Sequence, residues 1–267
     1  MLLAMPELPE VETVARALRP RLAGRRIRRV QILSRRIVSG PAEEFAARLC
    51  GRRIRGLRRR GKFLLAELEG AVLAIHLGMT GSLRWNAAPG PHTRAIFFLD
   101  RGRLVFDDLR QFGRLEASEQ ASARLAGLGP EALEISAQEL RRRLEGRRAA
   151  LKALLLDQRI LAGLGNIYAD EALFRARIHP CAAPARLSAA RLRRLHQAIR
   201  EVLQEAIRAG GSSVSDYVDP DGDPGRFQFE HRVYRRTGLP CPRCGALIRR
   251  LRVAQRSTHY CPRCQRP

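Results

Sequence analysis

The sequence predicts an α+β multidomain chain: an N-terminal β-sandwich with one helix, a helical middle and a C-terminal zinc hairpin. Three observations predict it. Short aliphatic and β-branched runs at close spacing fill most of residues 26–115. Helical periodicity takes over from about Pro130. Two Cys-x-x-Cys pairs close the chain.

The elements follow in order. Residues 9–22 predict a helix: Pro9 suits its first turn, Glu10 and Glu12 its N-terminal dipole, and Val11, Val14, Leu18 and Leu22 make one stripe. Strands are predicted in Ile27–Leu33, Ile54–Leu68, Val72–His76, Ala95–Leu99 and Leu104–Phe106, with hairpin connections at Glu69-Gly70 and Asp100–Arg103. Helices are predicted in Gln138–Leu144, Ala149–Asp157, Ile167–Arg177 and Ser188–Arg208, the last ended by Gly210-Gly211. Ser212–Gly225 is rich in Ser, Asp, Gly and Pro and predicts a long exposed loop, either a functional lid or a plain linker. The expected domains are 6–128, 129–230 with the loop 210–227, and 231–267.

Charge narrows the function. The 267 residues carry 50 Lys+Arg against 26 Asp+Glu, a net +24, spread over the whole chain. A polyanion partner, most simply nucleic acid, is expected. No run approaches a membrane span of roughly 18 apolar residues, and no segment reads as a basic amphipathic anchor or a secretory signal. A cytoplasmic location is therefore expected. Of the 50 basic residues, 48 are Arg and only Lys62 and Lys152 are Lys. Coding bias alone could leave two lysines. An amine can nonetheless do what a planar, permanently charged guanidinium cannot.

Cys241-Pro-Arg-Cys244 and Cys261-Pro-Arg-Cys264, sixteen residues apart, match a structural zinc pattern. Four thiolates would close a tetrahedral site around one Zn2+. Two disulfides or an idle cluster are the alternatives, and a cytoplasmic location disfavours the disulfides. Cys50 and Cys181 lack such partners. At the other end stands Met5-Pro6-Glu7-Leu8-Pro9-Glu10-Val11-Glu12. With Met5 removed, Pro6 would carry a free secondary amine. Attack on a sugar C1′ would give an iminium ion, acidify the C2′ proton and permit loss of the 3′ phosphate. Glu7 could act as general acid–base on the opening sugar. On spacing alone, a stiffened approach to a helix is the plainer reading.

The segment Pro6–Glu12 resembles the start of formamidopyrimidine-DNA glycosylases, bacterial enzymes that excise oxidised purines such as 8-oxoguanine. The resemblance continues in family order through Gly61–Leu64, His76–Arg84, Asp108–Gly113, Asp157-Gln158, Ala162–Glu171, Ile178–Pro180, Gln255-Arg256 and the zinc knuckles. It covers essentially Pro6 to Gln265.

It implies a bifunctional glycosylase and abasic-site lyase acting by β,δ-elimination, on a scaffold with a helix–two-turn–helix element. Pro6 would be the Schiff-base nucleophile, Glu7 the proton donor, Lys62 the catalytic lysine on its strand, and Arg256 a phosphate grip that assists the second elimination. Met79, Arg110 and Phe112 match the wedge that fills the gap left by a flipped nucleotide. Lys152 and His92 match DNA-contacting positions, although Pro91–Arg94 departs from the family around His92. Asn166, after Gly163-Leu-Gly165, would open a helix whose N-terminus binds phosphate. The loop 210–227 would cover the extruded base. The partner would be double-stranded DNA with oxidised bases or abasic sites, bound by a monomer associated with the bacterial nucleoid.

Two departures stand out. Residues 1–4 precede the family's start, and an acylated Pro6 could form no Schiff base. Met5 is therefore expected to be the real start and residues 1–4 a misplaced gene start, so that 1–5 are a non-native extension of the mature protein, with processing of a longer product as the alternative. Gln111 stands where many relatives carry a second Arg. Three rival functions remain: an endonuclease VIII-like enzyme for oxidised pyrimidines, an inactive DNA-binding protein of the same fold, and a zinc-ribbon RNA-binding protein. Leu8 and the Met79/Arg110/Phe112 set favour the purine enzyme.

Overall fold

The structure, a computed structural model, describes residues 5–119 and 123–266. The expectation for residues 1–4 lies outside them. The chain divides into two compact units: one runs to Gly127 and takes in Ala209–Arg226, and the other holds Leu128–Arg208 and the chain from Phe227 onward.

In the first unit, helix α1 spans Leu8–Leu22 with Pro9 in its first turn. Its buried stripe is Leu8, Val11, Val14, Ala15, Leu18 and Leu22, as the spacing requires. Eight strands follow: β1 (Ile27–Ile32), β2 (Ile54–Arg60), β3 (Phe63–Leu68), β4 (Ala71–His76), β5 (Gly81–Trp85), β6 (Thr93–Leu99), β7 (Arg103–Asp108) and β8 (Arg114–Ser118). They form two four-stranded antiparallel sheets, ordered β1-β6-β7-β5 and β2-β3-β4-β8. Ile27, Phe97, Leu83 and Phe106 from one sheet, and Leu57, Leu64, Leu73 and Leu115 from the other, share one core with the stripe of α1.

The long run Ile54–Leu68 is two strands rather than one. It folds back at Gly61-Lys62, so that Arg60 pairs with Phe63. Strands β5 and β8 were not apparent in the sequence because each is five residues with few apolar members. Short helices α2 (Ala42–Ala47) and α3 (Ala123–Ala126) were likewise too short for their period to register.

In the second unit, helices α4 (Ala137–Leu144), α5 (Leu151–Leu156), α6 (Asn166–Ala176) and α7 (Ala189–Arg208) fall close to their predicted spans. Ser136 caps α4 by accepting the Glu139 amide at 3.1 Å. Leu192, Leu195, Ile199, Val202 and Ala206 are the buried stripe of α7. Strands β9 (Arg249–Val253) and β10 (Arg256–Tyr260) form a hairpin. Ala254 and Gln255 turn it with φ of +46° and +61°, the paired left-handed residues of a tight hairpin turn, without glycine. Among the described residues, no helix is long and apolar enough to cross a membrane.

Candidate functional site

The motif Pro6–Glu12 lies at the N-terminus of α1, and Pro6 and Glu7 are both buried. Glu10 organises this end. It is 1% exposed, and its Oε2 accepts the Glu7 amide at 2.8 Å while its Oε1 accepts the Ser212 amide at 2.8 Å. The Tyr217 hydroxyl donates to the Glu10 carbonyl at 3.3 Å, and burial, with the charge of Glu10 nearby, pushes the Tyr217 phenol well above its ordinary range. One carboxylate thus holds the backbone of Glu7 and ties the segment 209–226 to it. The sequence gives Glu10 only the look of a dipole-satisfying acid.

The segment 209–226 departs from the exposed loop expected. Ser212 and Tyr217 are buried. Asp219 Oδ1 accepts the amides of Asp221, Gly222 and Asp223, and Ser213 Oγ joins Tyr217 O at 2.6 Å and the Gly225 amide at 2.9 Å. The Trp85 amide donates to Pro220 O, and Arg21 forks onto Asp221 with two contacts of 2.7 Å. The hydrogen bonds of that fork, aided by the Arg21 charge, hold the Asp221 carboxyl below its usual range.

Lys62 sits in the two-residue turn between β2 and β3, a correction to its expected place on a strand, and is only 8% exposed. Met79 lies half-buried in the turn after β4. Arg110 and Phe112 lie in the loop after β7, both exposed, with the Arg110 guanidinium carbon 4.7 Å from the Phe112 ring centroid. His92 is exposed just before β6. Gln111 turns inward: its Oε1 accepts the Ser34 hydroxyl at 2.6 Å.

The second unit corrects one expectation. Lys152, matched to a DNA-contacting position, is wholly buried and offers no surface to a phosphate. Its Nζ pairs with Asp170 Oδ1 at 2.6 Å and donates to Thr258 Oγ1 at 2.9 Å and Ser257 O at 3.1 Å. Asp170 Oδ2 in turn accepts the amide of His259 at 2.9 Å and lies 3.0 Å from its Nδ1. Asn166 opens α6 as predicted, and its Nδ2 donates to Ser257 O at 3.1 Å. Lys152, Asp170 and Asn166 therefore fasten β10 beside Arg256, which is half-buried at the strand's start. Asp170, Thr258 and His259 were missed because nothing in a lone sequence says which polar side chains meet inside.

Glu171, the next residue of α6, accepts the amides of Arg232, Val233 and Tyr234, and burial raises its carboxyl pKa. The same helix therefore grips the approach to the cysteines. The four thiols lie within 4.8 Å of one another, with Cys241–Cys264 at 4.0 Å and Cys244–Cys261 at 3.4 Å. Four sulfurs about 2.3 Å from one Zn2+ stand about 3.8 Å apart. Amides of Arg243 and Cys264 point at Cys241 Sγ and Cys261 Sγ, both at 3.4 Å, as donors that stabilise thiolates. The cluster fits one zinc ion with no open position, so the ion would be structural.

Residues 5–115 match the model of the formamidopyrimidine-DNA glycosylase N-terminal domain, 127–218 that of its H2TH domain, and 238–267 that of a zinc finger found in FPG and IleRS. The chain is 54% identical to the formamidopyrimidine-DNA glycosylase of Solibacter usitatus over 98% of its own length and 100% of that protein's. It superposes on the crystal structure of the MutM (Fpg) protein of Thermus thermophilus with a TM-score of 0.90 at 49% identity, covering 97% of this chain and 98% of that one. It also resembles the Lactococcus lactis Fpg bound to DNA containing N7-benzyl-Fapy-dG, with a TM-score of 0.91 at 37% identity over 98% and 100% of the two chains.

Proposed function

The chain belongs to the formamidopyrimidine-DNA glycosylase family, and from that premise we propose that it excises oxidised purines from duplex DNA and then cuts the abasic strand. The observation that carries the mechanism is the α1 N-terminus, where Pro6 and Glu7 are buried and the Glu10 carboxylate holds the Glu7 amide.

The chemistry needs a free Pro6 amine. Behind Met5 that nitrogen is a tertiary amide and cannot attack, so the active form starts at Pro6. Its lone pair would add at C1′ as the base departs, giving an iminium ion. Glu7 would shuttle protons on the opened sugar, and Lys62, an amine in a closed turn, would act beside it. Loss of the 3′ and then the 5′ phosphate follows by successive elimination. Arg256 and the N-terminus of α6 at Asn166 would hold phosphates. Met79, Arg110 and Phe112 would fill the gap in the helix, and His92 would touch the backbone. The segment 209–226, anchored on Glu10, would cover the extruded base. Functionally the chain works as three modules, 6–128, 129–230 and 231–267. Zinc held by Cys241, Cys244, Cys261 and Cys264 would stiffen the module that carries Arg256.

The protein would act as a monomer in the bacterial cytoplasm, at the nucleoid, drawn to DNA by its net charge of +24. Borohydride trapping tests the mechanism: protein started at Met5 should become covalently linked to abasic duplex DNA, and no adduct would refute the Pro6 chemistry. Preference for thymine glycol over 8-oxoguanine would assign the chain to oxidised pyrimidines instead.

A further inference from the structure

We infer that Thr80 and Asp108 are positioning residues that lock Met79, Arg110 and Phe112 into one preorganised wedge; the inference rests on the reading of those three as the wedge. They lie on two different segments, the turn 77–80 and the loop 109–113. Nothing in the covalent chain holds these together.

The hydroxyl of Thr80 joins them. Its Oγ1 donates to Asp108 Oδ1 at 2.5 Å and accepts the Arg110 amide at 3.0 Å. Asp108 is 0% exposed, and its second oxygen accepts the Gly113 amide at 2.7 Å. The carboxylate therefore receives one donor from each segment, and the hydroxyl binds the amide of the wedge arginine itself. Steric fit fixes the same register. Gly78, at φ +67°, passes so close to the loop that a Cβ would stand 2.5 Å from Gly113 N and from Phe112 C. Two further ties close the loop's far side. Ser34 holds the Gln111 side chain at 2.6 Å, and the Arg114 guanidinium donates to the carbonyls of Gln111 and Gly113 at 3.1 and 2.7 Å. Gln111 keeps the left-handed φ of +55°, and its neighbours Arg110 and Phe112 both stay exposed, the guanidinium stacked on the ring.

A wedge locked before DNA arrives loses little conformational freedom on entering the stack. Loosened, it pays that ordering at every opening event.

The test uses protein started at Met5 and single-turnover excision of 8-oxoguanine. One duplex pairs the lesion with cytosine. A second carries it as a one-nucleotide bulge, with no partner base to displace. Thr80→Val keeps the shape and removes both bonds. It should slow the paired duplex about tenfold, the factor that one ordinary hydrogen bond supplies, and the bulge less than about twofold. Thr80→Ser should restore the paired rate. Thermal melting of each variant monitors folding. Equal slowing on both substrates, or no rescue by serine, overturns the lock. Phe112→Ala separates the premise: if it slows the paired duplex and Thr80→Val does not, the lock alone fails. If Phe112→Ala leaves that rate unchanged, the wedge reading fails and the lock with it.

Discussion

Replacing Lys152 by methionine should cost the second unit about 3–5 kcal/mol, the usual loss when one partner of a buried ion pair is removed. Both Lys152 and Asp170 have side chains at 0% exposure, 2.6 Å apart. Methionine nearly matches the lysine stem, so the loss is electrostatic rather than a cavity. It leaves the Asp170 charge with the His259 amide and ring, and strips a donor from Thr258 and Ser257. At about 3 °C per kcal/mol, the melting transition should fall by about 10 °C or more in calorimetry. Adding Asp170→Asn should recover part of it, because a neutral pair has no stranded charge. The slope of log affinity for DNA against log salt, measured below the melt, should stay unchanged. A loss under about 1 kcal/mol, or a double variant no better than the single, would refute the reasoning. A slope shallower by about 0.9 would mean that Lys152 neutralises a phosphate after all. Lys152→Arg, which charge alone suggests is harmless, should also destabilise, by about 1–3 kcal/mol, because a guanidinium overfills a closed site.

Lys62→Arg should leave affinity and its salt dependence nearly unchanged while slowing strand cleavage by about 10²-fold or more, measured on preformed abasic duplex. Removing zinc with a strong chelator should release one metal per chain and lower the melting temperature. The variant Cys244→Ala should reproduce that loss without chelator. His231 packs edge-on between Phe227 and Tyr234, and burial, aided by the nearby Arg235 charge, lowers its pKa from 6.5 to about 4. A folded pKa below the unfolded one gives stability that is intact above about pH 6.5 and lost as the pH falls toward 4, up to about 3 kcal/mol. Melting of the wild type should therefore drop between pH 7 and 5 by more than that of His231→Gln.

Much of this molecule was legible in the sequence, for identifiable reasons. Helices longer than two turns announced themselves through stripes such as Val11–Val14–Leu18 and Leu195–Ile199–Val202. The cysteines were legible because thiolate spacing has few other uses. Local pattern stopped where structure depended on a distant partner. The fold-back at Gly61-Lys62 lies inside an unbroken basic and aliphatic run, and only pairing with β4 shows two strands. The segment 209–226 has the composition of a solvated loop, yet Glu10 and Arg21, some 200 residues away, tie it down. Asp108 and Asp170 look like surface acids until their donors, on other elements, are known.

The two lysines show how composition becomes informative once burial is added. Both lysines are buried, at 8% for Lys62 and 0% for Lys152, whereas most arginines reach water, Arg59 with its side chain held at 7% exposure against Glu12 being an exception. Coding bias toward Arg can act freely where a guanidinium reaches water. It cannot act where the space ends at one nitrogen. A guanidinium carries five N–H donors in a rigid plane, and a closed site must satisfy them all. Lys152 is held there by Asp170, Thr258 and Ser257, with none of its side chain reaching water. The same compact shape suits Lys62 for a second reason: an ammonium can give up its proton in a way that a guanidinium cannot. Lysine is thus retained once for fit and once for chemistry, and the opposite stability and activity effects expected for the two Lys→Arg variants follow from that difference.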